Sequence, residues 1–81
     1  MTTYEFTIFL ADEMDESAAD DLLGKCPDVI GSGRRAGVER VTFMREGADL
    51  ESAIRSALTD LTALGHRPTR AELETSSLAA N

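Results

Sequence analysis

Hydrophobic and polar residues alternate with a period of two in three segments of the chain, as in strands that bury one face. The segments are Thr3–Leu10, Val38–Arg45 and Thr69–Glu74. The first two are also rich in aromatic and β-branched residues, which favour strands. Val29 and Ile30 indicate a further short strand between the first two.

Two other segments carry apolar residues at helical spacing, and both have residues suited to the helix ends. Asp15 and Asp49 are the predicted N-caps, because a carboxylate accepts hydrogen bonds from the free N–H groups of the first turn. Gly24 and Gly65 are the predicted C-terminal ends. The apolar positions are Ala18, Ala19, Leu22 and Leu23 in the first helix and Leu50, Ala53, Ile54, Ala57, Leu58, Leu61 and Leu64 in the second.

The order strand, helix, strand, strand, helix, strand predicts the fold. With right-handed crossovers it gives a ferredoxin-like βαββαβ sandwich, an α+β fold with a four-stranded antiparallel sheet and two helices on one face. Pro68 confines the last strand to a sheet edge or to its own first residue. Gly31–Gly37 contains three glycines, which predicts a hairpin loop. We expect a single domain over residues 1–74 and a flexible tail over residues 75–81.

The net charge of −7 is concentrated at the start of the chain. Residues 1–24 contain seven acids and no lysine or arginine. Such a field opposes binding to nucleic acid and to anionic membranes and favours a basic protein partner, with Asp20 and Asp21 as candidate contacts. A solvated helix face that maintains solubility is the alternative. No leader or membrane-spanning pattern is evident, so we expect a cytoplasmic protein.

The sheet face opposite the helices is the main candidate for a partner surface. Phe9, Met44 and Arg40 fall on it, and exposed apolar residues there would favour a homodimer or a heteromer. A mixed polar surface is the alternative. Arg34 and Arg35 lie in the predicted loop, where they could contact an anion or an acidic partner, or simply remain solvated. The predicted open face comprises Glu5, Thr7, Phe9, Arg40, Thr42, Met44, Arg70 and Glu72.

No residue set amounts to a catalytic, cofactor or metal signature. His66 has no Ser, Cys or carboxylate companion at a telling spacing. Cys26 is expected to be a small buried hydrophobe. The acids of residues 12–16 lack the spacing and central glycine of a calcium loop. An acylphosphatase-like enzyme would need an arginine in the loop after the first strand, which is acidic here.

Four motifs resemble a group of short bacterial proteins of uncharacterised function. They are YEFT at Tyr4–Thr7, DVIGS at Asp28–Ser32, GVxxVxFxRE at Gly37–Glu46 and LExAIxSA at Leu50–Ala57. Some members continue into a helix-turn-helix after the fourth strand, which implies regulatory or antitoxin-like roles for those members. The residues up to Asn81 contain no such pattern, so we expect the resemblance to extend to the fold more than to DNA binding.

The sequence therefore predicts a non-enzymatic interaction or regulatory module that binds another protein. The alternative is a small-ligand sensor that binds a metabolite at a dimer edge. In that case the glycine-rich segment with Arg34 and Arg35 would be the site.

Overall fold

The computed structural model describes residues 2–73, which form an α+β fold with two helices and a four-stranded antiparallel sheet. Residues 74–81, with the predicted tail and Glu74 of the predicted last strand, lie outside the described residues. The sheet order is β2-β3-β1-β4. The elements are β1 (Thr2–Leu10), α1 (Glu16–Lys25), β2 (Val29–Arg35), β3 (Val38–Gly47), α2 (Leu50–Ala63) and β4 (Pro68–Leu73).

One face of the sheet and both helices share a single hydrophobic core. Phe6 and Phe43 stack with ring centroids 5.6 Å apart at its centre. Each fully buried large apolar side chain contributes about 1.5–3 kcal/mol relative to exposure. The other members of the cluster are Tyr4, Ile8, Leu10, Val29 and Val41 from the sheet, Leu22 from α1, Ala53, Ala57 and Leu61 from α2, and Cys26.

The predicted N-caps are confirmed, and one predicted helix end is wrong. Asp15 accepts a hydrogen bond from the Ala18 N–H at 2.7 Å, and Asp49 accepts one from the Ser52 N–H at 2.8 Å. Gly24 does not end α1, which continues to Lys25. The helix ends there because a residue before proline is pushed out of the helical region, and the residue before Pro27 has φ −123° and ψ 81°.

The predicted Gly31–Gly37 loop is also wrong, because most of it belongs to β2. The strand runs to Arg35 and pairs with β3 through Gly31↔Thr42, Gly33↔Arg40 and Arg35↔Val38. Only Ala36 and Gly37 form the turn, both with positive φ (54° and 79°), as a two-residue hairpin turn of type I′ requires. Apart from Val29, this strand buries no side chain and is held by its backbone pairing with β3, so its sequence lacks the apolar alternation that would have predicted a strand.

Candidate functional site

One face of the sheet is not covered by the core, and we call it the open face. Residues that the sequence predicted for this face lie side by side on it. Phe9 lies between Arg40 of β3 and Arg70 of β4. Thr7 lies opposite Thr42, and their hydroxyl oxygens are 2.9 Å apart in a hydrogen bond. This cross-strand bond ties the centre of the open face together.

Phe9 and Met44 do not form the exposed apolar patch expected from the sequence. Phe9 is only 9% exposed, because the Arg70 guanidinium carbon lies 4.2 Å from its ring centroid. Such a cation–π contact stabilises the ring and covers it. Met44 is exposed, but it lies opposite Glu5, four residues along β1 from Phe9 and therefore about 13 Å away.

Arg34 and Arg35 are consecutive strand residues, so their side chains leave opposite faces of the sheet. Arg34 lies opposite the buried Glu39 in the register, and its guanidinium forms an ion pair with Glu13 at 2.9 Å. Arg35 lies opposite Val38 at the turn, with the same parity as the open-face positions of β2. The two arginines predicted to act together therefore have different surroundings.

Next to the β2 edge, the open face contains a depression of about 330 Å³, which we call the glycine hollow. Its floor is backbone, because Gly31 and Gly33 carry no side chain and a Cβ atom at either position would meet nothing within 4 Å. Side chains of the neighbouring strand β3 form its wall. The lining residues are Gly31, Ser32, Gly33, Arg34, Arg40 and Thr42.

The hollow is cationic although the protein as a whole is acidic. The β2–β3 hairpin contains four arginines and two glutamates, whereas the chain carries a net charge of −7. Among residues 2–73, no carboxylate lies within ion-pair distance of Arg35 or Arg40. Three large apolar residues of the same hairpin are exposed, and one of them, Val38, lies opposite Arg35; the other two are Ile30 and Met44. Cations without partners beside exposed apolar side chains suit the binding of an acidic group in an apolar context.

The acidic first part of the chain is partly neutralised by ion pairs. Asp12 binds Arg67 at 2.7 Å, and Glu13 binds Arg34. The hydrogen bond from Arg67 holds the pKa of Asp12 below its usual value. Asp20 and Asp21 are exposed on α1, and neither has an ion-pair partner in the part of the chain that the structure describes. These two carboxylates, together with the exposed Glu16 of the same helix, therefore contribute to the negative field of α1.

A cluster around Arg45 is the feature that the sequence did not predict. The Arg45 guanidinium donates to Asp28 at 2.6 Å and to Asp60 at 2.9 Å, and the Cys26 thiol donates to Asp60 at 3.6 Å. The hydrogen bonds from Arg45 lower the pKa of Asp28, while burial raises the pKa of the Cys26 thiol. Asp28 and Asp60 are 17 and 15 residues from Arg45, distances at which no local pattern signals a contact. The cluster joins α2 to the sheet, and the burial of Cys26 makes its thiol a poor nucleophile.

Three other kinds of feature could carry function among the described residues: metal ligands, membrane-spanning helices and an apolar groove. No group of three or more His, Cys, Asp or Glu side chains within residues 2–73 could hold a metal ion. Neither helix in that range has the length and hydropathy needed to cross a bilayer. An apolar groove of about 420 Å³ runs along α2, but its residues Leu50, Ile54 and Leu58 also pack against the core.

Comparisons of the chain with protein-family models, with curated proteins and with solved structures found no match. Arguments about function therefore rest on the geometry of the open face.

Proposed function

We propose that this protein is a non-enzymatic interaction module with a regulatory or antitoxin-like role, and that it binds another protein through the open face. The observation that carries the proposal is the glycine hollow with Arg35 and Arg40 beside it, neither of them paired with a carboxylate among residues 2–73. Arginine, methionine and aromatic side chains are enriched at protein interfaces, and lysine and acids are depleted there.

The proposal includes the ferredoxin-like arrangement, with both helices on one face of the sheet. The shared core of α1, α2 and one sheet face supports it, as does the sheet order with β1 and β3 central. In this arrangement the open face is available to a second copy or to a different protein. Asp20 and Asp21 on α1 would raise the association rate with a basic partner through long-range attraction.

A second candidate function is a small-ligand sensor that binds a metabolite at a dimer edge. The hollow favours it, because about 330 Å³ falls within the volume range of small-molecule sites and because β2 is an edge strand. Against it, the hollow has a backbone floor and few apolar side chains to hold a small molecule.

Affinity capture with the full chain from a native lysate tests the main proposal. The decisive variant is Arg40→Gln, with Arg55→Gln as the matched control, since Arg55 is exposed on α2 and pairs only with Glu51 among the described residues. We expect a stoichiometric protein partner with the wild type and the control, and loss of that partner with Arg40→Gln. The double variant Asp20→Lys/Asp21→Lys should slow capture of the same partner, especially at low salt.

Two results would contradict the proposal. One is the same set of captured proteins with Arg40→Gln as with the wild type. The other is no stoichiometric partner together with thermal stabilisation by a metabolite that depends on Arg40, which would favour the sensor. Unchanged capture rates with the α1 double variant would remove only the role of the acidic helix in attraction.

A further inference from the structure

The outer edge of β2 has backbone groups directed away from the sheet. Arg35 and Val38 flank the two-residue turn and exchange hydrogen bonds with each other, and bonded pairs then alternate along the hairpin. Gly33 and Gly31 therefore bond to β3, whereas Ser32 and Arg34 direct their N–H and C=O groups outward. An edge of this kind can accept another strand.

The glycine hollow lies beside this edge, where an added strand would place its side chains. A residue added opposite Gly33 would project on the open face, with no side chain of β2 in its way. The next side chain inward is Arg40 of β3, which lies opposite Gly33. Adjacent strands are about 4.8 Å apart, so a side chain crossing a glycine can reach the strand beyond it. Glycines in strands are often covered in this way by a neighbouring side chain.

The surroundings of the hollow define the chemistry of the added strand. Arg40 and Arg35 favour a carboxylate, since a charge-assisted hydrogen bond to arginine is among the strongest polar contacts. Val38 and Met44 are exposed in the same row of β3, on either side of Arg40 and Thr42. Two residues from the acid, the added strand would place one side chain opposite Arg35, next to Val38, and the other opposite Gly31, next to Thr42 and diagonal to Met44. These exposed apolar neighbours favour apolar residues at both positions.

A second copy of this chain fits the edge poorly. Antiparallel pairing of two β2 strands would add a second set of the hairpin arginines Arg34, Arg35 and Arg40 to the same edge. Like charges on neighbouring strands are destabilising. The edge is therefore better suited to a partner segment of opposite charge.

We propose that the β2 edge binds an extended segment of a partner protein as an added strand, with an acidic side chain over the glycine hollow and its carboxylate on Arg40. This inference rests on the proposed function and specifies the partner: an apolar-x-acid-x-apolar segment without regular structure of its own. Affinity comes from the backbone of Ser32 and Arg34, and selectivity comes from Arg40.

Fluorescence anisotropy with labelled peptides and the full chain tests the inference. The probe is the acetylated and amidated peptide Thr-Val-Thr-Glu-Thr-Val-Thr, compared with the same peptide carrying Gln or Lys at the centre. We expect the Gln peptide to bind about tenfold more weakly, the effect of one charge-assisted hydrogen bond, and the Lys peptide more weakly still. Arg40→Gln should remove the preference for Glu over Gln, whereas Arg55→Gln should retain it.

Two further variants test the placement of the peptide. Gly31→Val places an apolar side chain in the hollow at a position where an added Cβ atom meets nothing within 4 Å. Ser32→Pro removes an outward N–H and leaves the bonds to β3 intact. Each should keep the circular dichroism spectrum and weaken peptide binding at least about tenfold. A Glu peptide N-methylated at alternate residues makes the same test against the wild-type protein, so a variant that misfolds does not leave the question open.

Equal binding of the Glu and Lys peptides, or wild-type affinity in folded Ser32→Pro, would overturn the inference. So would a dimer in sedimentation experiments that dissociates with Ser32→Pro, because the occupant would then be a second copy. If no peptide binds the wild type but an Arg40-dependent protein partner is captured from lysate, strand addition fails and the proposed function stands. If that capture fails as well, both are refuted.

Discussion

Replacing Arg45 with methionine removes the charge at the centre of the Arg45 cluster and keeps most of the aliphatic stem. The Arg45 side chain is 12% exposed, and its partners Asp28 and Asp60 are 28% and 31% exposed. The stem packs on the core, with the guanidinium carbon 5.0 Å from the centroid of the Phe43 ring. Because methionine fills similar space, the main loss is electrostatic: two partly buried carboxylates lose their cation.

The expected loss lies between two known limits. Breaking a buried pair costs about 3–5 kcal/mol, whereas an exposed pair is worth about 0.2–1 kcal/mol. The partial exposure of both carboxylates lets water compensate them in part, so we expect a loss of about 2–3 kcal/mol at pH 7. Urea unfolding followed by circular dichroism measures it. With a slope near 1 kcal/mol per molar urea for a small domain, the midpoint should fall by about 2–3 M.

Arg55→Met is the matched control. Arg55 pairs with Glu51 at 2.6 Å, the same separation as Arg45 and Asp28, but both side chains are at least 75% exposed. This variant should lose at most about 0.5 kcal/mol. If the two variants have equal midpoints, burial does not strengthen the Arg45 cluster and the reasoning fails.

The pH dependence gives an independent check of the same cluster. Arg45 lowers the pKa of Asp28 in the folded state. The resulting stabilisation is present above the unfolded pKa of about 3.9 and is lost as the pH falls through the lower folded pKa. The difference between wild type and Arg45→Met should therefore shrink below about pH 4. A difference that stays constant down to pH 2 would mean that the loss comes from packing and not from the ion pairs.

Three other predictions use the same unfolding assay or a thiol reagent. Gly47→Ala should destabilise the fold by about 1–3 kcal/mol, because the new Cβ atom would lie 3.0 Å from the Cβ atom of Ala53. Gly24→Ala in α1 should stabilise the fold by about 0.5–1 kcal/mol, because alanine favours the helix and its Cβ atom would meet nothing within 4 Å. A change of the same sign in both variants would refute the packing argument. Ala36→Gly should raise stability by about 0.5–1 kcal/mol, because Ala36 has φ 54°, and an unchanged midpoint would indicate a relaxed turn. Cys26 is fully buried with a raised pKa, so it should react with a disulfide reagent at least about 100-fold more slowly in the folded protein than in urea; a fast reaction would show that the thiol is accessible.

Several parts of the fold were predictable from the sequence because their causes are local. The alternation in β1 and the helical spacing in α2 reflect which side chains face the core, so they appear directly in the order of residues. The caps Asp15 and Asp49 act on N–H groups three residues away. The end of α2 at Gly65, which has φ 89°, likewise depends on one residue.

The candidate site was only partly predictable. Arg40 could be placed on the open face, since one position in a strand determines the face of the others. The hollow beside it could not be predicted, because Gly31 and Gly33 give no apolar signal and are typical of a loop. Their pairing with β3 depends on backbone hydrogen bonds and on a turn whose type needs positive φ at Ala36.

Local patterns along the chain are enough to predict the helix N-caps and the strands and helices with regular apolar spacing, and the uneven charge is a count of residues. Three features appear only in the folded molecule: the length of β2, the cover of Arg70 over Phe9 and the Arg45 cluster. Each of these depends on residues that are distant along the chain and meet only when the strands are in register. The order of residues along the chain does not show which distant residues come into contact.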